Sequence, residues 1–131
     1  MILVDSSVWV LFFRRRAPLD LEAVVPIDEV VTCLPVVQEV LQGIRDEAPF
    51  RVAREAMFAL PRVGDPLTTG LVDDAVGLYR AARRAGLTIR SSVDCLIAAC
   101  ALAADVEVVH HDRDFAALAR VSGLRQRAIH P

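Results

Sequence analysis

Lysine is missing from this chain: all fifteen basic residues are arginine, set against seventeen acids for a formal net charge of −2. The absence excludes several chemistries. A Walker-type phosphate loop needs its lysine, and Schiff-base catalysis needs a lysine amine. Phospho-accepting receiver domains also cluster acids at strand ends, but they too require a nearby lysine. Aromatic residues make up 5% of the chain, too few for a base-stacking platform of the kind that binds single strands. Only three histidines occur, His110, His111 and His130, with no His-Glu-x-x-His spacing, which argues against a histidine-rich zinc site. The three cysteines, Cys33, Cys95 and Cys100, match no disulfide or zinc pattern and read as small core residues in a reducing cytoplasm. No apolar run approaches the ~18 residues of a membrane span. The N-terminus has no basic region ahead of its apolar stretch, so neither membrane insertion nor secretion is expected.

What the chain does have is apolar residues, at 54% of 131. That length suits one domain, 1–131, with a single core. The apolar surplus points to a partner or to a second copy of the chain. Short apolar runs predict strands over 2–5, 29–33, 107–110 and 124–129. Between them the patterning predicts helices over 6–13, 35–45, 49–60, 68–85, 91–104 and 112–121. Residues 19–28 read as a variable stretch with one helical turn, and 61–66 as a loop. Strands alternating with helices imply an α/β sandwich with a mainly parallel sheet.

The acids carry the chemistry. Asp94 is the only charge between Ser91 and Ala104, in a helix apolar on every face. A carboxylate there is costly unless something neutralises it. Asp5 ends the first predicted strand, and Asp112 and Asp114 follow the third. Glu39 borders the apolar stripe of Val36, Val40, Leu41 and Ile44, with small Gly43 beside it. In open α/β sheets, ligands bind beyond the carboxyl ends of the strands, where Asp5, Glu39, Asp94 and Asp112 can converge. Asp112 and Asp114 are also natural helix caps. Asp5 has no such local role in this reading, because Ser6 or Ser7 supplies the cap. Hard divalent cations prefer carboxylate oxygen and water. Such a cluster equips a site to activate water and to stabilise charge on a phosphate in flight, as phosphodiester hydrolysis requires.

Four segments carry a family resemblance across essentially the whole chain. They are Ile2 to Trp9, Gln38 to Gly43, Ile89 to Ala99, and His110 to Phe115. In order and spacing they resemble the PIN-domain family, specifically the toxin ribonucleases of bacterial toxin–antitoxin pairs (the VapC group). Where many relatives carry serine or threonine before the second acid, this chain reads Cys33, Leu34, Pro35.

The resemblance implies a three-layer α/β/α fold around a parallel sheet of about five strands. It implies the toxin of a type II toxin–antitoxin system, an endoribonuclease dependent on magnesium (or manganese) and held in check by a cognate antitoxin. By matching position Asp5, Glu39, Asp94 and Asp112 would be the catalytic, metal-binding acids, with Asp114 a fifth ligand. Ser6 would orient Asp5 or a bound water. Arg90 and Arg113, which no family motif fixes, are separate candidates for contact with RNA phosphate. Homodimers are common in the family, and the antitoxin tail lies along an apolar groove near the acids. Trp9, Phe12 and Phe13 fit a core or a partner face, and Trp9, Val10 and Phe13 on the first helix are compatible with such a groove. The alternative is a catalytically weak domain of the same fold that binds RNA or a partner protein.

Overall fold

The computed structural model describes all residues, 1–131. Four parallel strands, β1 (Ile2–Val4), β2 (Val30–Val31), β3 (Glu107–His110) and β4 (Gln126–Ala128), form a sheet in the order β2-β1-β3-β4. Six helices connect and cover them: α1 (Ser6–Phe13), α2 (Leu34–Gln42), α3 (Glu47–Ala59), α4 (Thr69–Arg84), α5 (Ser92–Ala104) and α6 (Arg113–Ala119). Consecutive strand residues face opposite sides of a sheet. Leu3 and Val4 are both fully buried, as are Val108 and Val109. Both faces are therefore covered, as a parallel sheet demands, and the architecture is the expected three-layer α/β/α sandwich.

The sheet has four strands rather than about five. Its fifth member shrinks to a single parallel bridge between Thr32 and Arg62. Thr32 N donates to Pro61 O (2.9 Å), and Val63 N donates to Thr32 O (2.8 Å). Pro61 has no donor of its own, and Gly64, at φ 65°, turns the chain away directly afterwards. That turn sits against α5: a Cβ on Gly64 would come within 2.6 Å of Cys100 Sγ.

Most predicted elements lie within a few residues of the observed ones. The variable stretch holds two 3-10 turns, Leu21–Ala23 and Ile27–Glu29, and the second replaces the first residue of the predicted strand over 29–33. Helix α2 stops at Gly43 rather than at residue 45. Thr68 caps α4 by accepting from Leu71 N at 3.1 Å. The three cysteines are buried and free. Of the two roles open to Trp9, core or partner face, the structure shows the first: it is only 4% exposed, its Nε1 donates to Val4 O at 3.1 Å, and it packs on Phe12 and Phe13. It belongs to the core, while Val10 beside it is exposed.

Topology places the site. The chain leaves β1 towards β2, then crosses back over β1 to reach β3 and β4. The order therefore switches between β1 and β3, and the crevice beyond their carboxyl ends is where such sheets bind ligands. Asp5 follows β1 directly, and Asp112 lies two residues past β3.

Candidate metal centre

Asp5 ends β1 and caps α1. Its extended backbone (φ −71°, ψ 158°) lets Oδ2 accept from Ser7 N (3.0 Å) and Ser7 Oγ (2.6 Å). The cap is thus Asp5 itself, not Ser6 or Ser7 as the sequence reading has it. The serines divide their work differently from expectation as well. Ser6 Oγ donates to Glu39 Oε1 at 3.0 Å, so it orients Glu39 rather than Asp5. Ser7 holds Asp5 and also accepts from His111 N at 2.9 Å, which ties the ends of β1 and β3 together. Ser7 is the residue of this site that sequence reasoning misses. Adjacent helical positions point about 100° apart, and the sequence does not reveal which one faces which acid.

Asp94 lies in the first turn of α5 and is 3% exposed. Two carboxylate oxygens are buried with no hydrogen-bond partner, Asp94 Oδ2 and Asp5 Oδ1. Buried polar atoms nearly always find partners, so two orphans in one cluster call for a ligand. One oxygen each from Asp5, Glu39 and Asp94 lie within 4.8 Å of one another, as do one each from Asp94, Asp112 and Asp114. Asp94 is common to both triads. The structure therefore brings all five acids to one place.

Asp112 and Asp114 differ in what holds them. Asp112 Oδ1 caps α6 by accepting from Asp114 N at 2.9 Å, and the Asp112 amide donates to His110 Nδ1 at 3.1 Å. His110 is buried against Phe115, and its Nε2 lies 2.6 Å from Gln126 Oε1. An accepting Nδ1 leaves the proton on Nε2, where it donates to Gln126, and the ring orients Asp112 from behind. Asp114 is 1% exposed and turns inward. Its Oδ1 accepts from Arg90 N (3.1 Å), and its Oδ2 accepts from Arg90 N (3.1 Å) and Ser91 N (3.0 Å). Asp114 thus clamps the turn that launches α5 and so sets the height of Asp94. Ser91, at the N-cap of α5, makes no side-chain cap of its own, which leaves that turn dependent on Asp114.

Electrostatics mark the same cluster. Burial pushes the Asp94 carboxyl up to about 9, helped by a hydrogen bond with Asp114 and by the charges of Asp5, Asp112 and Asp114. Burial also raises Asp5, against hydrogen bonds from Ser7 and Ser6 that lower it. Glu39 is raised by burial first, with Ser6 opposing and Asp5 and Asp112 adding to the rise. A set of carboxylates that resist ionising alone, with two unpartnered oxygens, is the donor set a hard divalent cation takes.

The chain is similar to known proteins over most of its length. The PIN domain family model matches residues 2–121. The chain is 37% identical to Ribonuclease VapC11 of Mycobacterium tuberculosis over 95% of its own length and 96% of the relative's. The same figures hold for VapC ribonuclease Mb1587 of Mycobacterium bovis. Among solved structures, VapBC-5 from Mycobacterium tuberculosis superposes with a TM-score of 0.72 at 23% identity, covering 97% of each chain. VapBC-1 of nontypeable Haemophilus influenzae gives 0.72 at 16% identity, covering 98% of each.

The stability of the acidic cluster can be measured directly. A carboxyl raised in the fold contributes stability at low pH and loses it as pH rises through the folded value. In EDTA, the unfolding free energy should therefore fall between about pH 5 and pH 9, and Asp94→Asn should flatten most of that slope; a wild-type profile that rises over this window would refute the assignment. Asp114→Ala, in contrast, orphans two amides and should cost ~2–4 kcal/mol in EDTA. Chemical denaturation checks it, and an unchanged midpoint would remove the clamp. The structural likenesses speak for the fold, and the sequence matches for the lineage: the chain belongs to the PIN-domain family, in its VapC group.

Proposed function

We propose that this protein is the toxin of a type II toxin–antitoxin pair, an endoribonuclease that works with magnesium or manganese. The observation that carries the reading is the pair of orphaned carboxylate oxygens, Asp5 Oδ1 and Asp94 Oδ2, buried within one acidic cluster. The 37% identity to proteins named as ribonucleases supports the activity. In this reading Asp5, Glu39 and Asp94 hold the ion, and Asp112 flanks it with the oxygen that its helix cap leaves free. When bound, the ion activates water and stabilises charge on the phosphate. The protein's own part is to hold those oxygens still. Ser7 fixes Asp5 and Ser6 fixes Glu39, leaving one oxygen of each acid for the ion. Water attacks the scissile phosphate in line and the 3′ oxygen leaves, giving a 5′ phosphate and a 3′ hydroxyl.

The reading also includes protein partners. A groove of about 310 Å³ runs between α1, α2 and the start of α3, one helical turn from Ser6 and Glu39. Exposed Val10 and half-buried Phe13 make it apolar, while Arg14, Arg15 and Arg45 rim it. An antitoxin tail with apolar and acidic residues fits that chemistry. Solved neighbours include VapBC-5, described as a member of the VapBC family of toxin–antitoxin systems, and a toxin–antitoxin complex from Klebsiella pneumoniae. Exposed Val72 and Val76 on α4 lie beside an apolar cavity of about 480 Å³, lined by Tyr79, Ile89 and Leu96 among others. They support pairing with a second copy of the chain. No helix is long and apolar enough to cross a membrane, and the reading places the protein in the cytoplasm.

Two experiments test the reading. Long structured RNA should be cut with magnesium and left intact with EDTA. Asp94→Asn or Asp5→Asn should lower the rate by ~10²-fold or more while circular dichroism stays native; full activity in either variant at equal metal and RNA would sink the site. Expressed alone, the chain should arrest growth, and the antitoxin encoded beside it should rescue. Val10→Glu should make that rescue fail, and rescue as complete as with the parent chain would move the antitoxin off this groove.

A further inference from the structure

The acids have a cationic neighbour. A cavity of about 570 Å³ opens beside Asp112, beyond the ends of β3 and β4. It gathers Arg90, Arg113, His111 and His130, with His110 at its back. All three histidines of the chain thus border one space, though they come from two separate strand ends. Arg90, Arg113, His111 and His130 are exposed, and none takes part in an ion pair. Four of the other arginines, Arg51, Arg62, Arg125 and Arg127, are paired with acids. The two cavity arginines are also held in register with the acids. Arg90 donates its backbone amide to Asp114, and Arg113 stands between Asp112 and Asp114, whose linked cap opens α6. At that helix start Asp114 turns inward and Arg113 outward.

We propose that this cavity is a nucleotide subsite that seats the phosphodiester backbone of single-stranded RNA next to the scissile bond. The proposal rests on the nuclease reading above and adds the place where the substrate is held. A polyanion approaching five clustered carboxylates meets repulsion unless cations stand beside them. Planar, unpaired guanidinium groups are the side chains best suited to phosphate oxygens. The neighbouring imidazoles supply donors to phosphate or base edges. Sequence alone offers Arg90 and Arg113 as isolated phosphate contacts, far apart in the chain. The fold makes them two walls of one space.

The test is equilibrium binding of the wild-type chain, in EDTA, to a fluorescein-labelled single-stranded RNA of mixed sequence, read by anisotropy across a salt series. Arg90→Ala/Arg113→Ala should weaken binding roughly tenfold and shallow the log–log salt slope by about 1.4, which is ~0.7 for each of two phosphates no longer neutralised. His111→Ala/His130→Ala should weaken binding by about threefold. Arg51→Ala/Arg54→Ala, an equal charge loss on α3, should change it less than twofold. The altered side chains are solvent-exposed, and thermal melts confirm that each variant is folded. If the Arg90/Arg113 pair binds RNA as tightly as wild type, or no more weakly than the α3 pair, the subsite is wrong. Cleavage with magnesium is scored separately. Weakened binding without any wild-type cleavage would keep the subsite and discard the nuclease, and cleavage with unchanged binding would do the reverse.

Discussion

Placing Asp94 in the first turn of an apolar helix leaves a carboxyl that is 3% exposed, with one oxygen unpartnered and no arginine paired to it. Four further acids stand around it, and its proton is held up to about 9. Much of the surrounding structure serves to keep that arrangement intact. The turn before α5 is tied down by Asp114, not by its own cap residue. Asp5 is tied by Ser7 and Glu39 by Ser6. These bonds hold the acids in place even though their mutual repulsion favours splaying apart. A folded state that stores such repulsion is stabilised by whatever binds the native cluster and not the unfolded chain.

The fold is legible because its signals are local and strong. Apolar runs of three or four residues alternate with helical periodicity, and few strand arrangements suit that order. The converging acids can be read because each sits at a strand end or in the first turns of a helix, where open sheets bind ligands. What the sequence does not reveal depends on orientation between elements. Nothing local says that Asp5 both caps α1 and keeps one buried oxygen unpartnered, since serine follows it twice and serine caps as readily as aspartate. The exchange of roles between Ser6 and Ser7 comes from the angle at which α1 leaves β1. The fifth strand fails for a reason visible only in space: Pro61 cannot donate, and the left-handed Gly64 ends the pairing after one bridge.

The departure at Cys33, Leu34 and Pro35 also resolves in the structure. Cys33 stands at the N-cap of α2 and makes no side-chain cap bond. Pro35, in the first turn, has no amide to satisfy, so less is lost by that omission. The hydroxyl that reaches Glu39 comes instead from Ser6, 33 positions earlier. The acid is therefore oriented from α1 rather than from its own helix, and its position depends on how α1 packs against α2.

Asp112 joins the two halves of the site. Its amide is fixed by the His110 ring, and one oxygen is fixed by the α6 cap. Its carboxylate meets the other acids, while its backbone borders the cavity lined by Arg90 and Arg113. A shift at the end of β3 would therefore move an acid and the arginine next to it together. The groove along α1 and α2 lies towards the β2 edge of the sheet, and the cationic cavity towards the β4 edge. A partner seated in the first need not cover the second.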